Sequence, residues 1–476
     1  MSIRSHTVYN LIGNTVPLVT SLITIPLFLG LIGEARYGVL LVAWILLGYF
    51  GFFDLGLSRA TAHFMAKLRN KPGQEKETLL WTVLLLNIVL GLTGALVLFV
   101  VGNIIFTHVV SIDAPLSREI LSALPWLACA LPLTIISASL TGALQGLERF
   151  LPLNITNLIG STLSQILPLI VAWQYSHELG PLILAVLFSR LLSSLILFLF
   201  CQYYVPLKHR VKIELQLIPI LFRYGGWVAV SSVIGPLLST LDRLLIGAIA
   251  GPKAVTYYGV PFSIVSRVMV IPTSLSSAIF PRYASEEANQ AGLTVNAVNS
   301  LIVAMFPLVL LGIMFMNPFL SVWISTEFAE QASAVGEIIL LGLWANAMAY
   351  VPHTYLQGSG SPEVVAKFHL LELVPYIIML MVALHYWGII GAALAWTTRV
   401  YADAILLFWA SNSSIKSLKP LLLPSLIILA SALFVFTYSW GTNIRTLVTC
   451  LLILFIPVWI WKFAPISLIG LMRKSL

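Results

Sequence analysis

The sequence predicts an all-α polytopic membrane protein. Two parallel six-helix repeats, an N-lobe and a C-lobe, surround a central cavity, and a C-terminal two-helix hairpin brings the total to about 14 transmembrane helices. Three observations carry this reading. Hydrophobic residues make up 59% of the 476 positions and charged residues only 9%, with a mean hydropathy of +0.97. Apolar runs long enough to cross a bilayer recur along the whole chain. Short motifs also return in the same order a little over two hundred residues later.

The composition comes first because it excludes the most. A soluble domain carries roughly 25% charged residues. With so little charge, most of this surface must face lipid, which rules out a cytosolic enzyme, a secreted domain and a nucleic-acid-binding module. The net charge of +8 fits basic inner loops and requires no polyanionic partner. Cys129, Cys201 and Cys450 lie far apart in apolar runs, with neither a disulfide framework nor metal-ligand spacing. The segment MSIRSHTVYN is not followed by a small-residue cleavage site, so the first apolar run reads as a retained helix.

A helix needs ~20 apolar residues to span the hydrocarbon core. Fourteen such runs begin near Val8, Tyr37, Leu79, Ile120, Leu151, Pro181, Ile218, Val255, Leu293, Ala334, Val364, Ile389, Pro420 and Ile444, the last two separated only by SWGTN. Lipid offers the backbone no hydrogen-bond partners, so these runs must be helices. The period-two alternation of a transmembrane barrel is absent. Prolines within the spans, among them Pro17, Pro26, Pro125, Pro132 and Pro375, predict bends. The outer loops are short, the longest being 108–117 and 325–333, and the inner segment 58–78 reads as a short amphipathic stretch on anionic lipid.

Orientation follows from the basic residues. With a cytoplasmic N-terminus, eighteen of the 26 Lys and Arg fall in inner loops and tails, four in outer loops, and four inside apolar runs. That bias, with an even number of spans, places both termini in the cytoplasm.

The repeats define the domains. ALQGLERF (143–150) returns as YLQGSGSP (355–362), and Tyr37-Gly38 returns as Tyr258-Gly259. The segment ending at Arg190 is matched by the one ending at Arg399. Six spans per unit make the repeats parallel, related by an axis along the membrane normal. The expected division is 1–206 for the N-lobe, 207–411 for the C-lobe and 412–476 for the hairpin.

No phosphate-binding glycine loop, serine elbow or metal-type cluster is present, so an enzyme, a cofactor and a metal site are not expected. The informative residues are the charges inside spans. An Arg at mid-depth costs roughly 2.5–3.5 kcal/mol against lipid, so Arg190, Arg243, Arg267 and Arg399 must face a wet cavity or a partner. At ~1.5 Å per residue, Arg190, Arg267 and Arg399 lie ~15–16 Å from the outer ends of their spans, near the midplane. Arg190 and Arg399 occupy equivalent repeat positions and are expected to face each other across the cavity. Guanidinium forks there would suit a diphosphate. The competing reading is internal ion pairing: Asp403 follows Arg399 by four residues, and Asp242 adjoins Arg243. Glu372 lies within the eleventh span, three residues after His369. The pair could relay protons, with Asp403 as a further ion-coupling group, or Glu372 could be an interfacial charge.

These residues resemble a known family. FFDLGLSRATAHFMA, TLDRLLIGAIAG with the later YYGV, GALQGLERF, and LQGSGSP with GIIGAALAW are similar to the Wzx-type O-antigen and polysaccharide flippases of the multidrug/oligosaccharidyl-lipid/polysaccharide exporter superfamily. The resemblance covers roughly residues 5 to 410. It implies a bacterial inner-membrane transporter that moves an undecaprenyl-diphosphate-linked oligosaccharide to the periplasmic leaflet by alternating access, with proton coupling in some members. It implies membrane lipids, a polysaccharide polymerase and a chain-length regulator as partners. The C-terminal hairpin matches the fourteen helices of lipid II flippases, which stand as the alternative. A MATE-type drug exporter fits less well, because the first span has no acid and the midplane is basic.

Overall fold

The computed structural model describes residues 3–437 apart from 69–70, 206–212, 284–289, 360 and 412–414, together with scattered residues between 448 and 459. The fourteenth predicted span, Cys450 and the last basic residues lie largely outside them. The described residues form helices only: α1 (Ile3–Phe50), α2 (Leu57–Lys67), α3 (Gly73–Ile104), α4 (Ala114–Gly146), α5 (Phe150–Gln174), α6 (Leu179–Tyr204), α7 (Leu217–Val265), α8 (Val270–Tyr283), α9 (Gln290–Trp323), α10 (Thr326–Gly358), α11 (Pro362–Ala410) and α12 (Ile415–Thr437). Among them, ten segments are long and apolar enough to cross a membrane. The protein is therefore a multi-pass membrane protein. Two compact units emerge, residues 1–256 and 257–476.

Three helices run for 48 or 49 residues, twice what a bilayer needs. Each breaks at one glycine: Gly33 (φ 78°, ψ 164°), Gly251 (φ 80°, ψ 176°) and Gly388 (φ 56°, ψ −141°). Only glycine adopts this region at ease. Each break folds the chain back on itself. The rings of Phe28 and Tyr37, nine residues apart around Gly33, lie 6.4 Å apart, whereas a continuous helix would separate them by ~13 Å. A Cβ placed on Gly247 would sit 3.3 Å from Val255, and one on Gly391 would strike the carbonyl of Ala383.

The surface inverts that of a soluble protein. On α3, Leu85, Ile88, Val89, Leu92 and Leu96 are exposed at helical spacing, while Gly91, Gly94 and Gly102 are buried. The large residues meet lipid, and the glycines let α4 approach closely enough for a Cβ at Gly91 to clash with Pro132.

The segment read as an amphipathic stretch, 58–78, contains most of α2, whose Leu57, Ala60, Thr61 and Met65 are buried. Asp54 accepts hydrogen bonds from the Ser58 amide (3.1 and 3.2 Å) and hydroxyl (2.7 Å), anchoring the start of this helix. Gly142 and Gly146 of α4 bring α2 into contact: a Cβ on either would strike the carbonyl of Ser58 or of Ala62. In the second unit the LQG motif has a parallel use, since a Cβ on Gly358 would fall 2.7 Å from Tyr283 of α8.

One predicted loop is corrected. Residues 326–333 are helical, forming the first turns of α10. Ser325 caps them by accepting a 3.1 Å bond from the Phe328 amide, and Glu327 stands in the first turn where the helix dipole favours an acid. The polar stretch that read as a loop is a capped helix start. In the second unit α10 is the central helix, packed along α9 and α11 and buried over most of its length.

Candidate functional site

Among the described residues, each unit holds a polar cluster between its helices that contains one of the two repeat-related arginines. In the first, α4, α5 and α6 present small polar residues at intervals of three and four positions. Where a packed core would carry leucine, α4 has Thr134 and Ser137, α5 has Gly160, Ser161 and Ser164, and α6 has Arg190 and Ser193. The missing side-chain volume leaves a cavity of about 520 Å³. Among the described residues, Arg190 is its only charged lining residue. Its Nη1 donates to Thr134 Oγ1 at 3.1 Å, and its Nε is buried without a hydrogen-bond partner. Among the described residues no carboxylate comes within ion-pair distance of it.

In the second unit the hairpin at Gly388 lays the two halves of α11 side by side. At ~1.5 Å per residue, Glu372 and Asp403 lie ~24 and ~22 Å below the turn, at one level, and Arg399 lies ~16 Å below it. The long Arg399 side chain reaches down. Its Nη1 lies 3.5 Å from Glu372 Oε2, and its guanidinium carbon stands 5.4 Å from the centre of the Tyr376 ring. His369 Nε2 is 3.9 Å from Asp403 Oδ1. His353 of α10 lies within electrostatic reach of His369 and Asp403, and 3.4 Å from Gln357. Glu372 and Asp403 are almost fully buried and lie close enough to interact with each other as well as with Arg399.

The structure thus brings Arg399, Glu372, His369 and Asp403 together and places Arg190 in a cavity of its own unit. The ion pair of Arg399 is with Glu372, across the hairpin, and not with Asp403 four residues on. Arg243 stays beside Asp242, its amide bonded to Asp242 Oδ1 at 2.8 Å and its Nε 4.0 Å away. Arg267 is exposed, in the short 3-10 turn Ser266–Met269. The lining hydroxyls of the first cavity and His353 escaped the sequence reading. The repeated small polar residues on the fourth to sixth spans were the available signal for the hydroxyls. His353, alone on its span, gave none.

Comparison with known proteins agrees with this architecture. The family model described as "Polysaccharide biosynthesis protein" matches residues 3–287, more than half of the chain. A second model, MatE, matches residues 228–382. The chain is 28% identical over 416 residues to a Shigella flexneri protein named "Putative O-antigen transporter", covering 86% of this chain and 97% of that one. Among solved structures, a lipid II flippase MurJ in an inward closed conformation superposes with a TM-score of 0.74 at 16% identity, over 99% of this chain and 100% of the other. An inward-facing multidrug resistance MATE transporter of the MOP superfamily superposes at 0.62 and 15% identity, over 88% and 96%. At these identities the structures speak for the fold. The hairpins, the all-helical units and the family match converge: the chain belongs to the polysaccharide biosynthesis protein family.

Proposed function

We propose that the protein is a flippase that carries an undecaprenyl-diphosphate-linked oligosaccharide from the cytoplasmic to the periplasmic leaflet of a bacterial inner membrane by alternating access. The observation that carries this reading is Arg190. A guanidinium with no carboxylate partner among the described residues, in a cavity among spans, is costly to keep unless an anion visits it. The family and the O-antigen transporter relative supply the matching cargo, an anionic lipid-linked glycan.

Arg399 and Arg267, counted to the midplane of their spans, and the shallower Arg243 are proposed as further substrate contacts, with Arg399 also held by Glu372. Glu372, His369 and Asp403 are proposed as the ion-coupling group. Two buried carboxyls beside one Arg and one His form a set whose proton occupancy responds to a change of surroundings. The proposed organisation is fourteen spans in lobes 1–206 and 207–411 plus the hairpin 412–476, with both termini cytoplasmic. The three glycine hairpins support that count, each turning one long helix into two passes. Gly33 and Gly251, with almost the same backbone angles 218 positions apart, support the duplication.

Proteoliposomes containing the full chain and a fluorescent undecaprenyl-diphosphate oligosaccharide test the function. Protein-dependent exposure of the glycan to a membrane-impermeant glycosidase is expected. Transport of lipid II or of a cationic drug in place of this glycan would overturn the assignment.

A further inference from the structure

Where α2 ends and α3 and α7 begin, the first unit opens into a groove of about 640 Å³. Its floor is apolar: Leu79 and Leu221 are buried, and Phe64 and Leu217 are half-buried. Its rim is charged. Lys67 stands in the last turn of α2, Glu75 in the first turn of α3, and Glu214 three residues before α7. Among the described residues these three are the charged groups that line it. The volume falls within the roughly 300–1,000 Å³ usual for small-molecule sites.

Hydrogen bonds hold the rim in place. The Glu214 amide donates to Thr82 Oγ1 at 3.1 Å, and the fully buried Thr82 donates its own proton to the Thr78 carbonyl at 2.8 Å. The Leu217 amide closes on the Glu214 carbonyl at 3.0 Å. The entry to α7 is thereby tied to α3, and Glu75 and Glu214 border one opening. Lys67 Nζ lies 5.6 Å from the centre of the Phe64 ring, a cation held over the apolar floor. The groove also runs out onto lipid-facing surface. Ile220 lines it and is 49% exposed, and the exposed Leu85 and Ile88 continue along α3. Charges at helix ends beside an exposed apolar row mark the level where headgroups meet acyl chains.

A ligand that matches this groove carries an anion for Lys67, a cation for two carboxylates and an apolar body. A diacylglycerol phosphodiester ending in a primary ammonium has all three. Its ammonium offers three N–H donors, enough to serve both carboxylates. A choline headgroup has no N–H to give. An anionic glycerol headgroup sets its phosphate beside two acids with no cation between them. We propose that this groove seats a phosphatidylethanolamine-type lipid. Lys67 takes the phosphate, Glu75 and Glu214 take the ammonium, and the acyl chains leave over Leu217 and Ile220. The seat is separate from the Arg190 cavity and does not depend on the identity of the cargo. A lipid held there straps the turn between α2 and α3 to the entry of α7.

The test offers the full chain, in detergent, phosphatidylethanolamine, phosphatidylcholine and phosphatidylglycerol with identical acyl chains, and counts retained lipids by native mass spectrometry. The wild type is expected to retain phosphatidylethanolamine in preference to the other two. Glu75→Gln and Glu214→Gln should each lower that retention roughly 2- to 5-fold, in the range of an exposed charge pair, and leave the other two lipids unchanged. The Glu75→Lys/Glu214→Lys double variant should turn the preference toward phosphatidylglycerol, a gain that a misfolded protein cannot show. Equal retention of the three lipids by the wild type would mean boundary lipid only and overturn the proposal. So would a wild-type preference for either other lipid, or glutamine variants that lose all three lipids alike or none.

Discussion

Arg399 and Glu372 meet at 3.5 Å across a single hairpin, with side chains only 12% and 7% exposed. They are 27 positions apart, and the reversal at Gly388 is what makes them neighbours. Removing one partner of a buried pair typically costs about 3–5 kcal/mol, because the other charge is left uncompensated. Arg399→Ala should therefore lower thermal stability in detergent strongly, and the Arg399→Ala/Glu372→Gln double variant should recover most of the loss. Additive losses would show that the two do not interact.

Glu372→Gln by itself tests coupling. It preserves shape and makes the group permanently neutral. Vesicle transport should continue with substrate binding near normal, but an imposed pH gradient should no longer accelerate it. A wild-type response to the gradient would leave Glu372 as a structural charge held by Arg399.

Arg190 differs from Arg399 in leaving no acid behind. Arg190→Ala should accumulate in the membrane at wild-type levels while glycan export falls by about 10- to 100-fold, the value of roughly 1.5–3 kcal/mol for bonds to a charged group. Lysine should restore part of the activity, keeping the charge and losing the fork. Quantitative blotting beside the transport assay separates the two effects.

Gly142 permits no side chain, because a Cβ there strikes the Ser58 carbonyl, whereas Gly30 has nothing within 4 Å. Gly142→Ala should destabilise the protein by about 1–3 kcal/mol as α2 is forced away from α4, while Gly30→Ala should have little effect. Detergent melting curves of the two variants make the comparison. Equal behaviour would show that α2 is loosely seated.

Gly33 isolates a backbone effect. Space around it is open, yet φ is 78°. Gly33→Ala should cost about 1–3 kcal/mol from conformational strain, with no steric contact to blame. Melting at the wild-type temperature would mean that the first hairpin can turn without a left-handed residue.

Hydropathy and charge are properties of segments, and they were legible in the sequence for that reason. The apolar runs, the expected depth of each Arg within them and the LQG repeat all came from counting along the chain. The membrane reduces the options, since backbone groups in lipid must close their bonds within one helix. Counting could not decide partners. Arg399 has Asp403 on its own helical face, yet its ion pair is with Glu372, because the Gly388 hairpin lays the other half of the helix within reach of the Arg399 side chain whatever the sequence interval. Nor could counting show that serines on α4, α5 and α6 surround Arg190. A missing volume exists only where three helices meet, and which faces meet is decided by packing, through close approaches such as Gly142 to Ser58 and Gly160 to Ser193.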